Sequence, residues 1–180
     1  MRVIGGAFRG LKLVEFEGRD IRPTSDRVKE SLFNILSARV AGARCLDLFC
    51  GSGNLGIECL SRGAEEVVFN DISPDSIKVL QKNLKKLKNC GKISVMNRDY
   101  SAALSGLTGK FDLIFIDPPY ALEAGAEAVK LIAKYGLLSD GGAIIYERDR
   151  EFAGEIERLT VCDRRKYGKT FLTFFTTEQL

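Results

Sequence analysis

Asp117-Pro118-Pro119-Tyr120 follows the apolar run 111–116 and is the segment of the chain best equipped for chemistry. Two consecutive prolines fix the backbone and remove two N–H donors. Carbonyl oxygens and the Asp117 carboxylate are then left to point from the end of a strand, with an aromatic face beside them. Such a site accepts hydrogen bonds from an NH2 group and stacks a planar ring. Further upstream, Asp47-Leu48-Phe49-Cys50-Gly51-Ser52-Gly53-Asn54-Leu55-Gly56 contains G-x-G-x-x-G after a short apolar run. A glycine turn there lets the backbone approach a ligand closely and present free amides. Taken alone, the pattern also fits a tight strand-to-helix turn.

Three acids sharpen the glycine pattern. Asp71 lies 18 residues beyond Gly53 at the end of the next apolar run, where a carboxylate accepts hydrogen bonds from both ribose hydroxyls. Asp99, in Asn97-Arg98-Asp99-Tyr100, ends a third run and suits an adenine amino group. Asp47 precedes Gly51 by four residues, where it can hold a cationic amino acid end but would repel a pyrophosphate. The set favours S-adenosylmethionine over NAD. Each acid also has a structural reading, Asp71 and Asp99 as helix caps and Asp47 as a partner of loop amides.

Composition removes other chemistries. The chain has no histidine, which excludes His-based triads, His proton shuttles and every His-containing zinc site. Its five cysteines show no C-x-x-C spacing, so neither a disulfide framework nor a metal site is expected, and the thiols are read as reduced and mostly buried. No stretch of about 18 apolar residues exists and residues 1–6 lack a signal-peptide core, so no membrane association and a cytoplasmic location are expected. A net charge of +3 is too small to demand a nucleic-acid partner, but basic residues cluster at 1–13, 82–98 and 158–169. On one face these would attract phosphates, although the middle block also reads as the solvated side of a helix.

The elements that must position these groups follow from periodicity. Pro23-Thr24-Ser25-Asp26 supplies caps ahead of Val28, Leu32, Ile35 and Leu36 on one face, so a helix starts near Asp26. Short apolar runs at 45–49, 66–70, 93–96, 111–116 and 143–146 alternate with helical stretches, Ser73-Pro74 opening one and Gly136 stopping another. Alternation of this kind means a parallel sheet with helices on both faces. Runs at 158–162 and 170–176, joined by a basic turn containing Gly168, predict a closing antiparallel hairpin. The expected fold is α/β, a Rossmann-like, mostly parallel seven-stranded sheet in one domain spanning 1–180, with 1–22 a short N-terminal extension.

With these motifs in hand, the sequence resembles the class I S-adenosylmethionine-dependent amino-methyltransferases, whose D/N-P-P-Y/F motif serves exocyclic nitrogens. It is most similar to the RsmD family of bacterial 16S ribosomal RNA guanine-N2 methyltransferases, over nearly its whole length. The opening Arg2-Val3-Ile4-Gly5-Gly6 and Gly10-Leu11-Lys12-Leu13, the block Arg22-Pro23-Thr24-Ser25-Asp26-Arg27-Val28-Lys29-Glu30-Ser31-Leu32-Phe33-Asn34-Ile35-Leu36 and the tail Lys166-Tyr167-Gly168-Lys169-Thr170 carry the likeness. Cys50 replaces the small residue of the usual D-L-F-A-G-S-G.

The resemblance implies that Asp47, Gly51 and Gly53 hold the methionine part of S-adenosylmethionine, Asp71 its ribose and Asp99 its adenine, with Phe49, Asn54, Ile72 and Tyr100 completing the cofactor site. Asp117 and the Pro118 carbonyl would hold the guanine amino group, with Pro119 fixing the backbone and Tyr120 stacking the base. Arg2, Arg9, Lys12, Arg22 and Arg27 are expected to contact RNA. The implied partner is 16S ribosomal RNA or a small-subunit assembly particle, the implied product S-adenosylhomocysteine, no metal is needed, and a monomer is expected. Enzymes on DNA adenine, another RNA base or protein glutamine share the tetrapeptide and stay open. An NAD-dependent oxidoreductase or a non-catalytic RNA-binding module leaves Asp117 to Tyr120 or the strand-end acids without a job.

Overall fold

Apolar runs flanked by amphipathic stretches bury both strand faces only when helices cover the sheet on each side. The computed structural model, which describes residues 1–15, 26–119 and 123–177, has this arrangement. In chain order the elements are α1 (Asp26–Leu36), β1 (Arg44–Asp47), α2 (Asn54–Ser61), β2 (Glu66–Asn70), α3 (Pro74–Leu84), β3 (Lys92–Met96), α4 (Tyr100–Gly106), β4 (Phe111–Ile116), α5 (Ala124–Tyr135), β5 (Leu138–Arg148), β6 (Leu159–Tyr167) and β7 (Thr170–Thr177). The strands form one sheet in the order β3-β2-β1-β4-β5-β7-β6, parallel from β3 to β5, with β7 antiparallel to both its neighbours. Strand order reverses between β1 and β4, which opens a crevice at the carboxyl ends of the strands.

Two cores flank the sheet. On one face Leu32 and Phe33 of α1, Ile57 of α2 and Leu80 of α3 pack on Phe69, Phe115 and Ile145. On the other, Leu104 of α4 and Val129 and Ile132 of α5 pack on Leu46, Ile114, Ile116 and Tyr146. Two caps fall where the sequence puts them, while Pro23, Thr24 and Ser25, read as the cap of α1, lie outside the described residues. Ser73 accepts a hydrogen bond from the Ser76 amide with Pro74 in the first turn, and Gly136 ends α5 at a φ of 63°.

Two strands run several residues past their predicted bounds for physical reasons. β5 begins at Leu138 rather than 143, because the pair Gly141-Gly142 masks its pattern, and its register against β4 shifts between Phe111 and Leu113. β6 runs on to Tyr167 through Asp163, Arg164, Arg165 and Lys166, where a turn was expected. It is an edge strand, and charged side chains there keep the unpaired edge from recruiting another chain.

Residues 1–13 fold as a small antiparallel arm, bridged at Arg2 and Lys12, that inserts Val3 and Leu13 into the first core. Its amides need acceptors, and α2 and α3 supply them. Ile4 and Gly5 donate to the Glu58 carboxylate at 2.9 and 2.8 Å, Phe8 to Ser61 Oγ, and Val14 to Asn83 Oδ1. Under the arm lies Lys29, fully buried, whose Nζ donates to the Arg2 carbonyl and to Asn54 Oδ1 and sits 3.2 Å from Glu58 Oε2. Burial pulls the Lys29 ammonium below its usual pKa, and Glu58 opposes that pull. All five cysteines are free; Cys45, Cys50 and Cys59 are buried, Cys90 half-buried and Cys162 exposed.

Candidate active site

The crevice is built from strand ends. After β1 the chain turns through Gly51, at a φ of 52°, and Gly53, at a φ of 86°, before entering α2. A side chain at Gly53 would adopt a left-handed backbone and meet Leu80 Cδ1 at 2.4 Å, so only glycine fits. A Cβ at Gly56 would lie 2.2 Å from the Phe69 ring, which is how the last glycine of the motif lets α2 press against β2.

Asp71, just beyond β2, ties this loop to the neighbouring strand. Its Oδ2 accepts from the Gly51 amide at 2.9 Å and its Oδ1 from the Ser73 amide at 2.8 Å. Each oxygen keeps a second lone pair for a ligand hydroxyl. Asp47, 2% exposed at the end of β1, accepts from the Gly56 amide at 2.9 Å. Burial pushes its carboxyl up to about 7, against the lowering effect of that hydrogen bond. Asp99 caps α4, taking the Ser101 amide at 2.9 Å and hydroxyl at 2.6 Å, and the hydroxyl above all holds its carboxyl below the usual range. Beside it the Phe49 and Tyr100 rings stand 5.6 Å apart, and Ile72 is 67% exposed. Asn97 steadies this corner by donating to the Asp71 and Ile72 carbonyls, and Asn54 opens α2 in the grip of Lys29.

On β4, Asp117 follows Ile116 and leads into a buried Pro118 and an exposed Pro119. A cavity of about 230 Å³ adjoins Pro118 and is lined also by Glu123, Tyr146, Arg148 and Phe152. Arg148 lies over the Tyr146 ring at 5.3 Å and the Phe152 ring at 5.9 Å. Tyr120 and Arg22 lie outside the described residues.

The structure therefore brings Asp47, Gly51, Gly53, Asp71, Asp99 and Asp117 to one edge of the sheet. The basic residues are less united. Arg2 and Lys12 face each other across the arm, Arg2 paired with Asp26 at 3.1 Å, and Arg27 is exposed on the first turn of α1. Arg9 sits on the turn docked against Ser61, at the end of α2 away from the glycine loop. The residues that sequence reasoning passed over are Lys29, Glu58 and Glu147. The last stands one position beyond the run 143–146, so the rule that picked out Asp71 and Asp99 would have found it.

Among the described residues no cluster of three metal-ligating side chains occurs, and no helix is long and apolar enough to cross a membrane. A family profile described as Conserved hypothetical protein 95 matches residues 1–176. The chain is 38% identical over 180 residues to the proposed rRNA methyltransferase YlbH of Bacillus subtilis, covering 97% of this chain and 98% of that one. It is 37% identical over 151 residues to the ribosomal RNA small subunit methyltransferase D of Escherichia coli, covering 84% of this chain and 76% of that one. A solved structure of the proposed Escherichia coli methyltransferase yhhF superposes with a TM-score of 0.88 at 33% identity, covering 99% of this chain and 98% of that one. A glycine loop ringed by acids, the strand order around it and a profile match over almost the whole chain lead to one assignment: the chain belongs to the Conserved hypothetical protein 95, or RsmD, family of class I methyltransferases.

Proposed function

We propose that this chain transfers a methyl group from S-adenosylmethionine to the exocyclic N2 amino group of a guanine in 16S ribosomal RNA, in the cytoplasm. The observation that carries the reading is the convergence, at one sheet edge, of an acid-ringed glycine loop and Asp117-Pro118-Pro119. The small-subunit rRNA methyltransferase among its relatives supports the substrate class.

The donor set fits the cofactor, since Asp47, Asp71 and Asp99 suit an ammonium, a ribose diol and an adenine amino group, whereas a pyrophosphate would be repelled. Gly51 and Gly53 keep the loop backbone close to the ligand, and Phe49, Asn54, Ile72 and Tyr100 line the remainder. S-adenosylmethionine, when bound, supplies a methyl group made electrophilic by its sulfonium. The guanine amino group is a poor nucleophile because its lone pair is delocalised into the ring. The Asp117 carboxylate and Pro118 carbonyl accept its hydrogens, favour a pyramidal nitrogen, aim its lone pair and stabilise the positive charge that develops. Proton loss follows transfer, so no histidine is required. Tyr120 stacks the base, while Arg2, Lys12 and Arg27, with Arg9 and Arg22, meet RNA phosphates.

Mapping methylated nucleotides in ribosomal RNA from a strain lacking the protein tests the reading. One N2-methylguanosine should vanish from 16S RNA and return with the wild-type chain. An unchanged methylation pattern would sink the proposal.

A second expectation concerns pH. The ordinary pKa of Asp47 is 3.8 and its folded value about 7, so the fold binds an extra proton between them and loses stability as pH rises through that window. Only the ionised form attracts the donor ammonium, so donor affinity should climb up to about tenfold per unit approaching pH 7 and level off above it. Asp47→Asn should flatten both curves and bind the donor weakly throughout, as read by urea unfolding and calorimetric titration from pH 5 to 8.5.

A further inference from the structure

Glu147 is 4% exposed at the end of β5, and nothing in the mechanism above uses it. Its position in the sheet is specific. Phe115 pairs with Ile145 and Ile116 with Tyr146 across the parallel strands β4 and β5, and carrying that register one step past the end of β4 sets Asp117 beside Glu147. Glu147 pairs with Leu172, which shares the core of α1, α2 and α3 with Phe115 and Ile145, so Glu147 belongs to that face, and Asp117, two residues past Phe115, continues the alternation of β4 toward the same side. Neighbouring strands are about 4.8 Å apart, a separation from which two carboxylates can engage adjacent donors of one ring.

We propose that Glu147 reads the target base by accepting the N1–H of guanine while Asp117 and the Pro118 carbonyl hold its N2 amino group. The proposal rests on the guanine reading above and explains what that reading leaves open, namely how a tetrapeptide shared by enzymes of different bases selects this one. Guanine offers two neighbouring donors on its Watson–Crick edge, N1–H and N2–H, and two adjacent acceptors match them. Adenine presents a lone pair at N1, which would face a buried carboxylate and be rejected. A site built to take a donor rejects an analogue lacking it far more strongly than an apolar pocket could, because two acceptors are then brought face to face.

The test uses 2-aminopurine, which keeps the 2-amino group and carries a lone pair at N1. Small-subunit RNA substrates with guanine or 2-aminopurine at the mapped target are methylated in single turnover by the wild type and by Glu147→Gln, beside donor-binding titrations. The wild type should prefer guanine by at least about fivefold, the discrimination of one good base contact. The side-chain amide introduced by Glu147→Gln can donate to N1, so this variant should narrow or invert that ratio with donor affinity unchanged. A purely structural Glu147 would slow both substrates equally, and an unchanged ratio overturns the proposal. If the variant does not fold, the wild type decides, since equal rates on both bases overturn it too. A wild type that makes N2-methylguanosine without such discrimination refutes only the role of Glu147. One that makes none refutes the guanine reading and this assignment together.

Discussion

Asp117→Ala should slow methyl transfer by about two orders of magnitude or more while leaving donor affinity and the folded state intact. The magnitude is that of removing one preorganised electrostatic partner from a transition state. The separation of effects comes from the geometry. Asp117 stands at the end of β4, whereas the acids of the cofactor loop stand on β1 and beyond β2 and β3, across the strand reversal. Asp117→Asn keeps a side-chain carbonyl that accepts from the amino group, so it should retain most of the activity lost in the alanine variant. That contrast identifies the carboxylate as an acceptor that positions nitrogen, since a general base would lose as much with Asn as with Ala. Single-turnover methylation of ribosomal RNA run beside calorimetric titration of the donor reads both quantities. An active Asp117→Ala enzyme, or one that has lost its cofactor, would contradict the assignment.

How far the site was visible beforehand depends on how local its causes are. Asp71 and Asp117 follow an apolar run directly, Asp99 comes three residues after one and Asp47 lies within one, so strand ends and acids are legible together, and G-x-G-x-x-G announces a close approach that Gly53 and Gly56 carry out. Asp99 shows the limit of that reading, since its carboxylate also caps α4 through Ser101, a role foreseen as its alternative. Lys29 was invisible because a lysine in an amphipathic helix normally reaches water, and only the fold buries it beneath the arm. Glu58 was invisible because its partners Ile4 and Gly5 lie 54 and 53 residues away. The second half of β6 is not legible in the sequence because its basic side chains show no apolar alternation. Arg9 is close to Arg2 and Lys12 in sequence, yet the turn of the arm carries it toward Ser61.

Those unforeseen residues support the second large effect. The Glu58 carboxylate, fully buried, receives the Ile4 and Gly5 amides, the Arg62 Nε at 2.8 Å and the Lys29 Nζ. Glu58→Met fills nearly the same volume but strands the buried Lys29 ammonium without its carboxylate and leaves two arm amides without acceptors. Breaking a buried pair from one side costs about 3–5 kcal/mol, a large share of the roughly 5–15 kcal/mol that holds a domain together. Urea unfolding should therefore show a midpoint well below that of the wild type. Lys29→Met alone should cost less, because Arg62 and the two amides still satisfy Glu58. The double variant Lys29→Met, Glu58→Met removes the stranded charge and should regain part of the loss, a coupling that separate, independent contacts would not give. Lys29 also holds Asn54 at the first turn of α2, beside the glycine loop. Both Lys29 variants should accordingly weaken donor binding as well as stability, whereas additive losses in unfolding and unchanged donor affinity would mean that the arm and the loop are fastened independently.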